Sequence, residues 1–393
     1  MASPWLTIVG IGEDGIAGLS DASRNALAVA ETVFGGERHL ALAGVAARGR
    51  PWPVPFDVDG VLACRGRATV VLASGDPFWH GVGAILAERL DGGEWIAHPA
   101  PSTFSLAAAR LGWRLEAVIC LGLHAAPFER LVPHLSHDAR IICLVRDDKA
   151  AGDLAAWLTA RGWGDTRLWR LAALGGPREA VTQHRAASYV VDPAAGPVAV
   201  ALEVCGANGL SRSSGLPDDL FAHDGQITKR PMRALALSAL APRPGETLWD
   251  IGAGSGSISV EWALRGGAAA AIEARGDRAA NIRRNAAAFG LSHRIVVVEG
   301  TAPQSLSGLD APHAVFVGGG FDITVFDAVW SRIAAGTRLV VHGVTLETEA
   351  LLSDLHQRHG GDLMQVGIAQ AGKLGRYRSW EPARPVVQWS VVR

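Results

Sequence analysis

A chain of 393 residues exceeds what one ordinary hydrophobic core organises, and its length points to two or three domains. It is 49% hydrophobic and 19% charged with a formal net charge of -1, a globular composition that excludes the broad basic surface of a nucleic-acid binder. No apolar run reaches the roughly 20 residues of a membrane span, MASPWLTIVGIG carries no signal-peptide pattern, and Cys64, Cys120, Cys143 and Cys205 form no CxxC pair, so a cytoplasmic protein with no membrane partner, disulfide or metal site is expected.

In chain order, apolar β-branched runs predict strands at Leu6–Val9, Thr69–Ala73, Ala117–Leu121, Arg140–Val145, Thr166–Leu171 and Pro197–Leu202. Ala/Leu/Arg-rich helical stretches alternate with them, which predicts α/β layers with largely parallel strands. The first strand runs into Gly10-Ile11-Gly12-Glu13-Asp14-Gly15, a formal GxGxxG. Glu13 and Asp14 would set like charge against a pyrophosphate, and the following helix is delayed until about Ser20, so a tight βα turn is the better reading. Gly75-Asp76-Pro77 follows the second predicted strand, and Pro101 to Ser105 opens a helix with Ser102 and Thr103. Each of these loops suits either a ligand contact or an ordinary turn and helix cap.

The run GANGLSRSSGLPDD lacks hydrophobic periodicity and is rich in turn formers, which predicts a linker over 206–223 between an N-terminal domain, 1–205, and a C-terminal domain, 224–393. A helix from Thr228 to Leu240 opens the second domain and stops at APRPGE. Strands are predicted at Thr247–Ile251, Ala269–Glu273, Ile295–Glu299, Ala314–Val317, Arg338–His342, Asp362–Ala371 and Val386–Val392. The last two, joined by a loop, are expected to close one sheet edge as an antiparallel pair.

Four successive strands in this half end in a chemically coherent series. After Asp250 the turn Gly252-Ala253-Gly254-Ser255-Gly256 leads into a helix near Ser257, where glycines admit a ligand and the helix N-terminus favours an anionic group. Glu273 ends the second strand, placed to accept ribose hydroxyls; Gly300-Thr301-Ala302 ends the third, beside an adenine; Gly318 to Gly320 end the fourth. The GxGxG spacing and the acid before it favour S-adenosylmethionine (SAM) over a nicotinamide dinucleotide, whose fingerprint sets the last glycine one residue further on. Glycines that only shape βα turns would leave Glu273 and the Gly300 turn unexplained.

Taken together, the first-strand GxG turn, SGDPFWHG, PSTFS and Leu174-Gly175-Gly176-Pro177-Arg178-Glu179 resemble the tetrapyrrole methylase family of SAM enzymes over nearly all of residues 1–205. The second half, with Ile227-Thr228-Lys229-Arg230, DIGAGSGSISVE, EGTAP, FVGGG and His342 to Thr348, resembles the decarboxylating precorrin methyltransferase family, although FVGGGFD stands where FVGGSGG-like forms are common. The fusion in this order is similar to decarboxylating precorrin C5,15-methyltransferases. The resemblance implies a two-lobed class III-like α/β domain followed by a Rossmann-like class I domain, with one SAM site in each. The implied reaction methylates precorrin-6Y at C5 in the N-terminal domain and at C15 in the C-terminal domain, which also removes the C12 acetate carboxyl. A homo-oligomer is implied too.

On this resemblance Thr228 faces SAM, and Lys229, Arg230, Arg233, Arg376 and Arg378 are candidates to bind the substrate's carboxylates. His342 and Glu347, near a strand end, are candidates for proton transfer. Methyl transfer to an enamine-like carbon asks for alignment and exclusion of water rather than a strong base, so the lack of a nucleophile triad is no objection. A nucleic-acid or other small-molecule SAM methyltransferase with a non-catalytic N-terminal half would share the C-terminal motifs. VGGGFDITVF, however, offers neither the NPPY-like nor the cysteine motif usual in base methyltransferases.

Overall fold

The computed structural model describes residues 4–190 and 197–393; residues 1–3 and 191–196 of the expected N-terminal domain lie outside the described residues. Two compact units form, one from the described residues up to Phe128 and from His134 to Asn208, the other from Glu129–Pro133 with Gly209–Arg393.

In the first unit β1 (Leu6–Ile11), β2 (Thr32–Gly35), β3 (Gly49–Pro51), β4 (Thr69–Ser74) and β5 (Trp95–His98) make a parallel sheet in the order β3-β2-β4-β1-β5. Alternate residues of its strands point to opposite faces, and both faces are covered. Val9, Ile11, Val70 and Leu72 pack with Leu27 of α1 (Asp21–Val29) and Ala43 at the end of α2 (Glu37–Leu42). Leu6, Ile8 and Val71 pack with Val61 of α3 (Asp59–Leu62) and Leu86 of α4 (Val82–Ala87). Burial on both sides is why these strands read as continuous apolar runs.

The second sheet of this unit, β6 (Ile119–Gly122), β7 (Arg140–Leu144), β8 (Arg167–Ala172), β9 (Ala180–Arg185) and β10 (Val198–Glu203), has the order β6-β7-β10-β8-β9. Only β6 and β7 are parallel, which corrects the expectation of largely parallel strands here. The loop between β8 and β9 is too short for the crossover that parallel neighbours require. Phe104, Ala107 and Ala108 of α5 (Thr103–Leu111) pack on Ile142, Leu171, Ala199 and Ala201, while α6 (Asp148–Ala160) buries Leu154 and Leu158.

The second unit is built on β11 (Thr247–Ile251), β12 (Ala268–Glu273), β13 (Ile295–Glu299), β14 (Ala314–Val317), β15 (Arg338–Gly343), β16 (Asp362–Val366) and, after the hairpin β17 (Ala369–Leu374) and β18 (Tyr377–Pro382), β19 (Val386–Val392). The seven-stranded order is β13-β12-β11-β14-β15-β19-β16. β11 to β15 are parallel, and β19 lies antiparallel between β15 and β16, so the chain's last strand closes the edge with β16. The run expected as one strand, Asp362–Ala371, breaks in two, because its continuation pairs with β18 in a separate exposed hairpin. Helices α7 (Arg230–Leu240), α8 (Ser257–Leu264) and α9 (Gly276–Ala288) cover one face through Leu237, Trp262 and Ile282. α10 (Ile323–Trp330) and α11 (Leu346–His359) cover the other through Phe326 and Leu352.

The run 206–223, expected as a linker, does not hang free. Gly215 and Leu216 donate their N–H groups to the Glu261 carboxylate at 2.8 Å each, and Leu216 and Phe221 are buried in the core of the second unit. Its polarity hides two anchoring apolar residues, too few to give a period. Among the described residues no helix is long and apolar enough to cross a membrane.

Candidate active-site cavities

The strand order of the second unit reverses at β11, since β12 lies on one side of it and β14 on the other, and ligands of open α/β sheets sit at the carboxyl ends of such a pair. A cavity of about 690 Å³ opens there. It is lined by Thr228, Gly252, Ala253, Gly254, Glu273, Gly300, Thr301, Ala302 and Gly318, so the structure brings most of the C-terminal candidates together.

Local geometry explains the turn. Gly252 has φ +67, and a Cβ on it would stand 2.6 Å from the carbonyl oxygen of Gly319, so the ends of β11 and β14 approach closer than any side chain allows. The Glu273 carboxylate, at the end of β12, is buried and accepts the N–H groups of Gly254 at 2.8 Å and Arg275 at 3.0 Å. It thereby fixes the turn and keeps lone pairs for further donors. Asp250 does not reach the cavity. Its Oδ2 accepts from Ser259 N at 3.1 Å and Oγ at 2.6 Å, tying the strand end to the first turns of α8. Burial, with the charge of Glu273 adding, pushes its carboxyl up to about 6 against the Ser259 hydrogen bonds.

Other candidates fall elsewhere. Ser255 and Gly256 do not line the cavity: Ser255 is buried with its carbonyl on Asn285 at 2.8 Å, and Gly256, in the left-handed region, lets α8 pack where a Cβ would meet Ile282 at 2.7 Å. Arg233 is a core residue rather than a substrate contact. Its guanidinium pairs with Glu261 at 2.6 Å and Asp218 at 3.1 Å, donates to the carbonyls of Thr228 and Leu216, and lies over the Phe221 ring. Lys229 lines the cavity, whereas Arg230 is exposed outside it. Arg376 and Arg378 belong to the exposed β17–β18 hairpin and do not line it either. His342 lies in the cavity wall at the end of β15, its Nε2 on Gln388 Oε1 at 2.9 Å, and burial lowers its pKa so that the ring is neutral. Glu347 is exposed in the first turn of α11, outside the cavity. Sequence reasoning missed Gln226, Arg278 and Arg384 as lining residues, since none of the three stands at a strand end or in a motif.

In the first unit two smaller cavities, about 300 Å³ and about 160 Å³, share Ser74, Thr103, His124 and Leu144 in their walls. Ser102 lines the larger and Gly75 the smaller. Ser102 also caps α5 by accepting from Ser105 N at 3.1 Å. Asp76 and Pro77 line neither: Asp76 Oδ1 accepts from Phe78 N at 2.9 Å, the ordinary turn role, and Pro77 packs under Gly81 and Gly83. The Gly10 turn is tight, as a Cβ there would overlap the Gly75 carbonyl, and the helix after it starts at Asp21, capped by Ser20.

A polar cluster that the sequence did not announce lies in the walls of the two cavities, His39 in the larger and Glu13 with Arg38 in the smaller. Arg38 pairs with buried Glu13 and donates to Ser74 Oγ at 2.9 Å, and its Nη2 lies 2.8 Å from His39 Nε2. Burial, and then the Arg38 charge, bring the His39 imidazole down to about 4. Between about pH 4 and 6.5 the unfolded chain therefore binds a proton that the fold refuses, and stability falls as pH drops through that window. Denaturant unfolding at about pH 7 and pH 4.5 should show this loss in the native chain and a smaller one in His39→Gln; equal pH dependence in the two would remove His39 as its source.

Comparison with known proteins follows the same division. Residues 6–189 match the family described as Tetrapyrrole (Corrin/Porphyrin) Methylases, and residues 219–393 match the Precorrin methyltransferase domain. Over 400 residues the chain is 47% identical to a precorrin-6Y C(5,15)-methyltransferase (decarboxylating) of a Sinorhizobium species, covering 99% of this chain and 97% of that protein. A protein of the same name from Mycobacterium tuberculosis H37Rv is 40% identical over 99% of this chain and 100% of its own. A probable cobalt-precorrin-6B C(15)-methyltransferase (decarboxylating) of Pyrobaculum aerophilum is 36% identical over 181 residues, 44% of this chain and 92% of that protein. With both domains present in one order and identity sustained from end to end, the chain belongs to the precorrin-6Y C5,15-methyltransferase (decarboxylating) family.

Proposed function

We propose that this protein transfers two methyl groups from SAM to precorrin-6Y, at C5 and C15, and releases the C12 acetate carboxyl as CO2, a step in cobalamin synthesis. The observation that carries this reading is the identity over the full chain to proteins of that name. Two SAM sites serve the two transfers, one in each unit. C15 methylation and decarboxylation belong to the second unit, and C5 methylation to the first. Support comes from the Pyrobaculum protein, which bears only the C15 and decarboxylating activities in its name and matches less than half of this chain, so those steps are separable from C5 transfer.

The residues present fit SAM in the second unit. The glycine turn leaves a side-chain-free cradle, Glu273 offers a buried carboxylate, and Gly300-Thr301-Ala302 forms the next wall. Gly252 to Gly254 with Thr228 would hold the methionine end, Glu273 the ribose, Gly300 to Ala302 the adenine, and Gly318 the far side. In the first unit Gly75, Ser102 and Thr103 are the proposed contacts, with Asp76 and Pro77 shaping the loop. Bound SAM supplies an electrophilic methyl group. The chain's own task is to hold the ring carbon in line and exclude water. When a ring C–H becomes C–CH3 its proton must leave. Neutral His342, whose Nε2–H donates to Gln388, keeps Nδ1 as an acceptor for it.

Mass spectrometry of precorrin-6Y incubated with SAM and the full chain tests the proposal. A product heavier by two methyl groups and lighter by one CO2 is expected, and an unchanged tetrapyrrole would refute it.

A further inference from the structure

The cavity of the second unit has two unlike ends. Gly300 to Ala302 and Glu273, after β13 and β12, form one. His342 and Val344 at β15, with Ala383, Arg384 and Val386 leading into β19, form the other. Helix α7 packs on β14 and β15, and Lys229, at its N-terminus, lines the cavity beside Thr228, next to a segment whose Gln226 carbonyl approaches Gly254.

The charges on the wall do not cancel. The charged lining residues are Lys229, Glu273, Arg278 and Arg384. Arg278 is neutralised by Asp224 at 2.9 Å, and Glu273 is held by two backbone N–H groups. Among the described residues no carboxylate pairs with Lys229 or Arg384. The cation of SAM adds to this excess. The Lys229 and Arg384 side chains are both exposed to the open cleft, and an excess of positive charge on its wall attracts an anionic ligand. Arg384 stands in Pro382-Ala383-Arg384-Pro385, where two fixed φ angles restrict the backbone and reduce the ordering needed on binding.

We infer that Arg384 forms a carboxylate clamp at the β15–β19 end of the cavity that grips an acidic side chain of the tetrapyrrole and sets which edge of the macrocycle meets the methyl group. This rests on the function proposed above. An arginine fork suits bidentate binding of a carboxylate, and the clamp acts on the substrate without touching the adenosyl end.

The test uses the full chain, precorrin-6Y and SAM, with Arg384→Ala and Arg384→Lys. Product masses are followed together with calorimetric SAM titration and binding of precorrin-6Y alone, read from its absorbance. Arg384→Ala should raise the precorrin concentration needed for C15 methylation about tenfold or more, the scale of one charge-assisted contact. It should accumulate product bearing one methyl with its carboxyls intact, and leave SAM binding unchanged. Arg384→Lys should recover part of the loss. Native product ratios and unchanged precorrin binding in Arg384→Ala, beside a wild type that completes both transfers, would overturn the clamp alone. An equal loss of SAM binding would overturn it by moving Arg384 to the cofactor. A wild type that adds no methyl overturns both the functional reading and the clamp built on it.

Discussion

Gly252→Ala should weaken SAM binding in the second unit in a calorimetric titration and shift the product toward one added methyl with no CO2 lost. Gly252 holds φ +67, a region that costs a residue with a Cβ about 1–3 kcal/mol. The added Cβ would also stand 2.6 Å from the Gly319 carbonyl oxygen, a backbone atom that cannot swing aside. Either the turn leaves the left-handed region, which breaks its N–H bonds to Ile272 and Glu273 and reshapes the cradle, or the ends of β11 and β14 part. At about 1.4 kcal/mol per factor of ten, strain of this size weakens SAM at that site about tenfold to a hundredfold. Gly367→Ala is the matched control, because its Cβ would meet nothing within 4 Å, its φ is unstrained and it does not line the cavity. Native SAM stoichiometry and affinity in Gly252→Ala would contradict the placement of the cofactor.

A comparable effect, on stability rather than chemistry, is expected at Arg233. Both Arg233 and Glu261 are 0% exposed, and the Glu261 carboxylate also holds Gly215 and Leu216. Arg233→Ala leaves that carboxylate buried without its counter-charge, a change worth about 3–5 kcal/mol. For a unit of this size, that should lower the midpoint of its thermal unfolding by roughly 6–20 °C. Glu261→Gln keeps one acceptor oxygen and a neutral group, and should cost less. At low temperature the Arg233→Ala chain that remains folded should keep its native KM for the tetrapyrrole. A raised KM with an unchanged melting midpoint would instead return Arg233 to the substrate.

Among arginines and lysines the sequence was least able to discriminate. Lys229, Arg230 and Arg233 are near neighbours in the chain, yet one lines the cavity, one is exposed outside it and one lies in the core. Spacings of three and four would set all of them on one helical face, but Lys229 is the N-cap and Arg230 the first residue of α7, at its open end, while Arg233 lies one turn in, where the helix packs on the core. Arg384 was illegible for the opposite reason. Its flanking prolines read as an ordinary loop, and its place in the cavity follows from β19 inserting beside β15.

What the sequence determined by itself was what local chemistry can specify. The strands Thr247–Ile251, Ile295–Glu299, Ala314–Val317 and Val386–Val392 have the bounds their apolar β-branched runs predict, and in the central β11 and β14 burial on both sheet faces demands such unbroken hydrophobic stretches. The turn after Asp250, Glu273 and the Gly300 turn were legible because each closes such a strand. Tertiary structure alone decided the mixed second sheet of the first unit, the docking of Leu216 and Phe221, the His39–Arg38–Glu13 cluster and the fates of the cationic side chains. These depend on which distant segments meet, as Glu261 meets Gly215 and Arg38 meets Glu13, and no periodicity within a segment records its partners.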